Sequence, residues 1–400
     1  MYIFSLALKV IFSVIFFFFK GASLSRKSGA EFEAASSANF LSYFNSGLLV
    51  DGYKSKLSQK ESFQNVALIA PIDSGKTQGY IIPNILEKAN QNCSIVVNDP
   101  KGEIFENTSG FMKSRGFDVV CINPDDVFSS SFFNPLEVTQ NAQEIEQIAE
   151  ILVKSGNPND KEPIWNNGAI RLLNVLLKCL SNGKKEHFNL ANLYHLIQNF
   201  GSSGEAISDW VIENIVNPDL PFDEVEIGEW KAFITGNEKT IESFVSVALT
   251  ALKALSSREL RYITSKSDYD LNLFRKRRTI IYFITPAEKQ GYYSFLTSIF
   301  FRCVFNVCMR GGVKKGLLPV YCLYDEFGNS YIPEIQELAN TLRGYGVSLS
   351  IVLQSISQVY HKYGQQQGKS LLGAFSHKIV LPGADNETTL YFESISGIGH

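Results

Sequence analysis

Two segments of this 400-residue chain carry residues that could do phosphate chemistry together. APIDSGKT (Ala70–Thr77) follows an apolar run, Asn65–Ile69, and leads into a helix-like stretch. LPVYCLYDEF (Leu318–Phe327) is a second apolar run and ends in Asp325 and Glu326. A loop of backbone N–H groups that opens a helix wraps phosphates, and a lysine in it neutralises them. A strand-end acid then holds Mg²⁺, and its neighbour activates water. The pair reads as a nucleoside triphosphatase site for ATP and Mg²⁺. Asp73, Ser74, Gly75, Lys76 and Thr77 form the nucleotide loop, and Thr77 and Asp325 are the metal residues.

Ala70 stands where the pattern G-x-x-x-x-G-K-[ST] has its first glycine. Pro71 behind it, with φ held near −65°, can stiffen the turn instead. SGKT alone could be an ordinary loop, and Asp325–Glu326 alone a solvated strand end. A strand before the loop, a helix after it and an acid-ended strand later favour the nucleotide site. Gln354 ends the apolar run VSLSIVL (Val347–Leu353). A polar residue at that tip, beside the Asp325 strand, can bond the γ-phosphate and the attacking water and so sense nucleotide state.

These residues need strands and helices to hold them. Runs at Asn65–Ala70, Cys93–Val97, Phe117–Ile122, Thr279–Ile284, Val320–Tyr324, Val347–Leu353 and Lys378–Leu381 read as strands. Helical stretches alternate with several of them, which predicts an α/β fold with a mostly parallel, doubly wound sheet. Between them, Ala142–Ser155, Ile164–Leu180, Leu190–Phe200, Glu205–Val216 and Glu238–Leu255 show helical spacing and no strand signal. The expected units are 63–137 and 258–400 for the nucleotide-binding fold and 138–257 for an inserted all-α domain. Residues 21–62 form a connector whose apolar islands could add an edge strand. The chain reaches His400 without an obvious closing element, which suggests a truncated C-terminus.

Residues 1–20 are read as an anchor. Tyr2–Phe19 holds a single charge, Lys9, and as a helix spans about 27 Å, close to the roughly 30 Å hydrocarbon core. Lys20, Arg26 and Lys27 follow, which places the remainder in the cytoplasm. A cleaved signal peptide is the rival, but its basic n-region is lacking.

Composition sets the bounds. Hydrophobic residues make up 45%, enough for a large core, and net charge is −3, so the surface as a whole does not attract nucleic acid. Any DNA contact must come from a local patch. FRKRR (Phe274–Arg278), with Arg258 and Arg261, is the densest basic region, and a solvated turn is its simpler reading. The six cysteines are scattered and read as buried, reduced thiols.

Several segments together resemble the type IV coupling proteins of conjugation and type IV secretion. They are APIDSGKT with QGYIIPN, VVNDPKGEI (Val96–Ile104), INPDD…FNPL (Ile122–Leu136), the long stretch Tyr324–Gly364, and HKIVLPGADNETT (His377–Thr389). The resemblance implies a RecA-like P-loop NTPase with an all-α domain, anchored in the bacterial inner membrane and hexameric. It implies ATP-driven coupling of a relaxosome with its single-stranded DNA, or of protein substrates, to a secretion channel. It also implies roles: Gly75, Lys76 and Thr77 on phosphates and Mg²⁺, Asp325 in the Mg²⁺ shell, Glu326 as general base and Gln354 as sensor. Arg343 is a candidate arginine supplied across a subunit interface, or else a cation at a helix C-terminus. Asp99 and Lys101 end a strand where ligands gather. The sequence departs from the family in having one expected span rather than two, an acid at Asp73, and no stretch beyond the last strand. A nucleotide-dependent receptor with little hydrolysis, and a DNA translocase outside secretion, are the alternative functions.

Overall fold

The structure, a computed structural model, describes residues 40–155, 162–216, 223–310 and 316–396. The expected anchor, Tyr2–Phe19, lies outside the described residues.

Seven strands form one sheet in the order β5-β6-β4-β7-β8-β3-β9. They are β3 (Val66–Ile69), β4 (Ser94–Asp99), β5 (Asp118–Ile122), β6 (Thr279–Ile284), β7 (Val320–Tyr324), β8 (Val347–Leu353) and β9 (His377–Val380). Every neighbouring pair is parallel. The cause is legible in runs such as VALI, TIIYFI and VSLSIVL, which are buried at every position. Strands covered on both faces need no polar alternation. Along β4, Val96 joins the apolar cluster of one face, while Ile95 and Val97 join the other. Helices α2 (Ile82–Lys88) and α3 (Glu103–Ser114) cover the second face. Helices α11 (Gln290–Met309), α12 (Ile335–Leu342) and α13 (Ile356–Tyr363) cover the first. The sheet is therefore doubly wound, and its carboxyl ends share one edge.

Between β5 and β6 the described regular elements are all helices: α4 (Ala142–Lys154), α5 (Pro163–Asn182), α6 (Leu190–Gln198), α7 (Glu205–Ile215), α8 (Asp223–Ile234), α9 (Glu238–Ala251) and α10 (Arg258–Ile263). Asn141, Asn189 and Asn237 cap α4, α6 and α9, each side chain accepting from an N–H three residues on. Such caps satisfy donors that the first helical turn cannot pair. Gly168 lets α5 meet α9, because a Cβ there would lie 2.2 Å from the ring of Phe244.

Among the described residues α11 is the one helix long and apolar enough to cross a membrane. It is a core helix: 78% of its apolar window is buried. Arg302 and Arg310 on or just beyond it bond Gln147 and Glu144 of α4.

The connector differs from expectation. Its strands β1 (Leu41–Ser42) and β2 (Lys56–Leu57) pair with each other and not with the main sheet. A four-residue helix, α1 (Gln59–Ser62), follows. The segment is drawn onto α2 instead. Leu49 N–H donates to Asn84 Oδ1 at 2.8 Å, and Lys88 Nζ donates to the Ser46 carbonyl at 2.6 Å. Helix α14 (Gln365–Gly373) precedes β9, and the chain continues past β9 into α15 (Asn386–Ser396), which packs on α13.

Candidate functional site

β3 delivers the loop. Ala70 is fully buried, and its N–H donates to the Leu353 carbonyl at 2.8 Å, which ties the loop to the end of β8. Two loop residues are left-handed, Asp73 with φ 59° and Gly75 with φ 78°. Glycine adopts that region freely, and aspartate is among the few other residues that tolerate it. The exposed Asp73 thus suits the backbone of this loop. The helix that follows starts with a widened π turn, Thr77–Ile81. Pro83, having no N–H and a ring that crowds the Gly79 carbonyl, accounts for the widening. Gly52 lies against that carbonyl; a Cβ on it would come within 2.1 Å of the oxygen.

Three separate strand ends meet here. Lys76 Nζ lies 2.5 Å from Glu326 Oε1 and 3.8 Å from Asp325 Oδ1. The Thr77 hydroxyl donates to Asp325 Oδ2 at 3.4 Å. Gln354 Nε2 donates to the other Glu326 oxygen at 2.8 Å. Glu326 is therefore held from both sides, on a left-handed backbone with φ 54°. Its own N–H donates to Asp325 Oδ1 at 2.9 Å. Asp325 is 3% exposed. Burial pushes its carboxyl up to about 6, against the pull of the Lys76 ammonium and with the repulsion of Glu326.

The structure thus brings Lys76, Thr77, Asp325, Glu326 and Gln354 together. It does not bring Arg343 there. Arg343 is exposed in a short turn, Arg343–Tyr345, at the amino end of β8, whereas the loop sits at the carboxyl end. Seven residues of strand separate the two by about 23 Å.

Sequence reasoning missed two side chains. Asn98 Nδ2 donates to the Asp325 carbonyl at 2.6 Å, and Gln358 Oε1 accepts from the Gln354 N–H at 3.2 Å. Asn98 was visible as the residue before Asp99 at a strand end; Gln358 gave no signal beyond its place one turn after Gln354. Asp99 itself is fully buried and accepts from the Phe105 N–H at 2.8 Å, so it caps α3. Burial pushes its carboxyl up to about 6 as well. Lys101 lines a separate cleft of about 650 Å³ with Asp126 and Glu288.

FRKRR is only partly a solvated turn. Arg275 is buried and donates to the Leu318 and Cys308 carbonyls at 3.0 and 2.8 Å. Arg278 donates to the Ala89 and Arg115 carbonyls and lies over the Phe117 ring. Carbonyls left over at strand and helix ends need donors, and these guanidiniums supply them. Lys276 and Arg277 alone are exposed. The cysteines are free thiols, and all but Cys121 are buried.

The donor set fits Mg²⁺ with a nucleotide. Thr77 and Asp325 offer hard oxygens side by side, and Ser74 Oγ in the same loop is buried without a partner. No group of three or more His, Cys, Asp or Glu among the described residues could cage a metal by itself. A site of one carboxylate and one hydroxyl, completed by phosphate oxygens and water, is the usual Mg²⁺ arrangement.

Comparison with known proteins agrees with this geometry. A VirD4 protein of Rhizobium rhizogenes is 24% identical over 343 residues, which are 82% of this chain and 49% of that protein. The chain spans about half the length of the curated relatives it matches. Among solved structures, the bacterial conjugative coupling protein TrwBdeltaN70 superposes with a TM-score of 0.72 at 14% identity, covering 94% of this chain and 82% of that one. Plasmid coupling protein TrwB in complex with ADP and Mg²⁺ gives the same TM-score and identity, covering 94% and 85%. The fold is therefore RecA-like. Residues 38–398 match the family described as type IV secretory system conjugative DNA transfer, and the chain belongs to that family.

Proposed function

We propose that this chain is an ATPase that couples DNA, with its relaxosome, or protein substrates to a type IV secretion or conjugation channel. The observation that carries the reading is Glu326, held between Lys76 and Gln354 at the shared carboxyl edge of β3, β7 and β8. In this arrangement the P-loop lysine and the base neutralise each other. A triphosphate entering the loop competes for the Lys76 ammonium and frees one Glu326 oxygen. Gln354 keeps hold of the other, so the carboxylate stays aimed as a general base for water. Thr77 and Asp325 would hold Mg²⁺, which offsets phosphate charge when bound. ATP and Mg²⁺ fit a loop whose fold relatives were solved with an ATP analogue and with ADP and Mg²⁺.

Residues 1–20 are proposed as a single-pass inner-membrane anchor, with the nucleotide fold in the cytoplasm. Residues 138–257 are proposed as the domain that meets substrate. The working unit is proposed as a hexameric ring with single-stranded DNA or protein in its channel. Arg343, remote from the site of its own chain, is then available only to a neighbour's site.

The test is ATP turnover by the full chain in detergent, with and without single-stranded DNA. Turnover that rises with DNA supports the coupling reading. ATP binding with no turnover under either condition would favour a nucleotide-dependent receptor instead.

A further inference from the structure

Asn98 occupies the next-to-last position of β4, level with Phe283 of β6 and Tyr324 of β7. The residue is 3% exposed. The Asp325 carbonyl can only accept, so the amide must turn Nδ2 toward it, as the 2.6 Å contact shows. This fixes Oδ1 on the opposite side. Oδ1 is buried and has no hydrogen-bond partner. A buried amide oxygen left so costs about 1–3 kcal/mol, and native structures rarely leave one unexplained.

The explanation lies in a small polar pocket that Asn98 shares with Glu326, Thr285, Gln290 and Asn329. About 10 Å³ of it is open to the centre of a water-sized sphere, the room that roughly one water needs. Its walls offer the two to four polar partners that hold such a water. Asn329 Nδ2 is bonded to Gln290 Oε1 at 2.5 Å, which closes the wall on the α11 side. Glu326 is the charged residue of the pocket, and it is also the candidate base.

We propose that Asn98 is a positioning residue for Glu326, acting through one bound water. The water donates one hydrogen to Asn98 Oδ1 and the other to the Glu326 carboxylate. The carboxylate thereby gains a donor that remains when the phosphates draw Lys76 away. Asn98 also holds the Asp325 carbonyl, so one amide fixes the main chain of the metal residue and, through the water, the side chain of the base.

The proposal rests on the ATPase reading for its kinetics but not for its structure. A high-resolution crystal structure of the chain should show a water within hydrogen-bond distance of both Asn98 Oδ1 and Glu326. A pocket without it overturns the proposal whatever the activity. If that water is present and the wild type does not hydrolyse ATP, the ATPase reading falls and the water site stands. In an active wild type, Asn98→Ala should lower kcat about 10- to 100-fold with KM for ATP within about twofold, the scale of a misplaced catalytic group. In a Glu326→Gln background the same change should cost little more. A loss as large in that background, or a KM that rises as kcat falls, would show that Asn98 only supports the fold.

Discussion

The ammonium of Lys76 and the carboxylate of Glu326 stand 2.5 Å apart, with side chains 12% and 14% exposed. Each is the other's closest counter-charge. Under the proposed function the pair would make nucleotide binding an exchange, in which phosphate takes over the lysine that the proposed base holds.

Two substitutions should separate binding from hydrolysis. Lys76→Ala removes the phosphate counter-charge and leaves Glu326 largely buried without its cation, so ATP affinity should fall sharply. Glu326→Gln removes the competitor for Lys76 and the base. Its ATP affinity should equal or exceed that of wild type, while turnover drops about 10²- to 10⁴-fold. Fluorescent-nucleotide titration beside a phosphate-release assay measures both, and wild-type turnover by Glu326→Gln would refute the base assignment.

Gln354→Ala should lower kcat more than it alters KM, because the Glu326 oxygen that Gln354 holds is not the one bonded to Lys76. Gln354→Glu should be worse, since it sets a second carboxylate against Glu326. Steady-state kinetics of the two variants decide this, and an unchanged kcat in Gln354→Ala would remove the residue from the mechanism.

Asp325 gives a pH dependence with a defined sign. Its carboxyl is pushed up to about 6 from an ordinary value of 3.8. Between those values the folded state binds more protons than the unfolded chain, so this group's contribution to stability falls as pH rises from about 4 to 6 and then stays level. Asp325→Asn removes the buried charge. In the absence of nucleotide its melting temperature should exceed that of wild type at pH 7.5, and the difference should shrink at pH 4.5. Calorimetry at the two pH values tests it; a constant difference would contradict the assignment.

Asn65 joins the P-loop strand to three other elements. Its Nδ2 donates to the Ala339 and Ala374 carbonyls at 2.7 and 3.3 Å, and its Oδ1 accepts from Leu349 N–H at 3.0 Å. Its φ is 64°. Asn65→Ala should destabilise by about 2–4 kcal/mol, from unpaired buried groups and a strained backbone. Asn65→Gly should recover only the backbone part, and denaturant titration of both variants separates the contributions.

Arg343 should act between subunits. Arg343→Ala and Lys76→Ala chains, each weak alone, should recover activity when mixed, because a mixed interface pairs an intact loop with an intact arginine. An arginine supplied this way is worth about 10³–10⁵ in rate. No recovery on mixing would leave Arg343 as a surface cation.

The sequence by itself determined the strands of the core and the residue types of the site. Val320–Tyr324 and Val347–Leu353 are read correctly to the residue because strands buried on both faces leave uninterrupted apolar runs. SGKT, the acids ending β7 and the glutamine ending β8 are legible as candidates for the proposed phosphate chemistry because only a few residue types can do it. The tertiary structure alone decided who touches whom. The strand order places β8 between β3 and β7, and this brings Gln354 and Lys76 onto opposite oxygens of Glu326. The same packing turned Arg275 and Arg278 from a basic run into donors for orphaned carbonyls, because chain ends meet there that lie far apart in sequence. It also set Asn98 under Asp325. Residue type gave Asn98 no chemistry of its own; a buried, unpartnered oxygen on a residue that lines the same pocket as Glu326 does, and burial is a property of the packed chain.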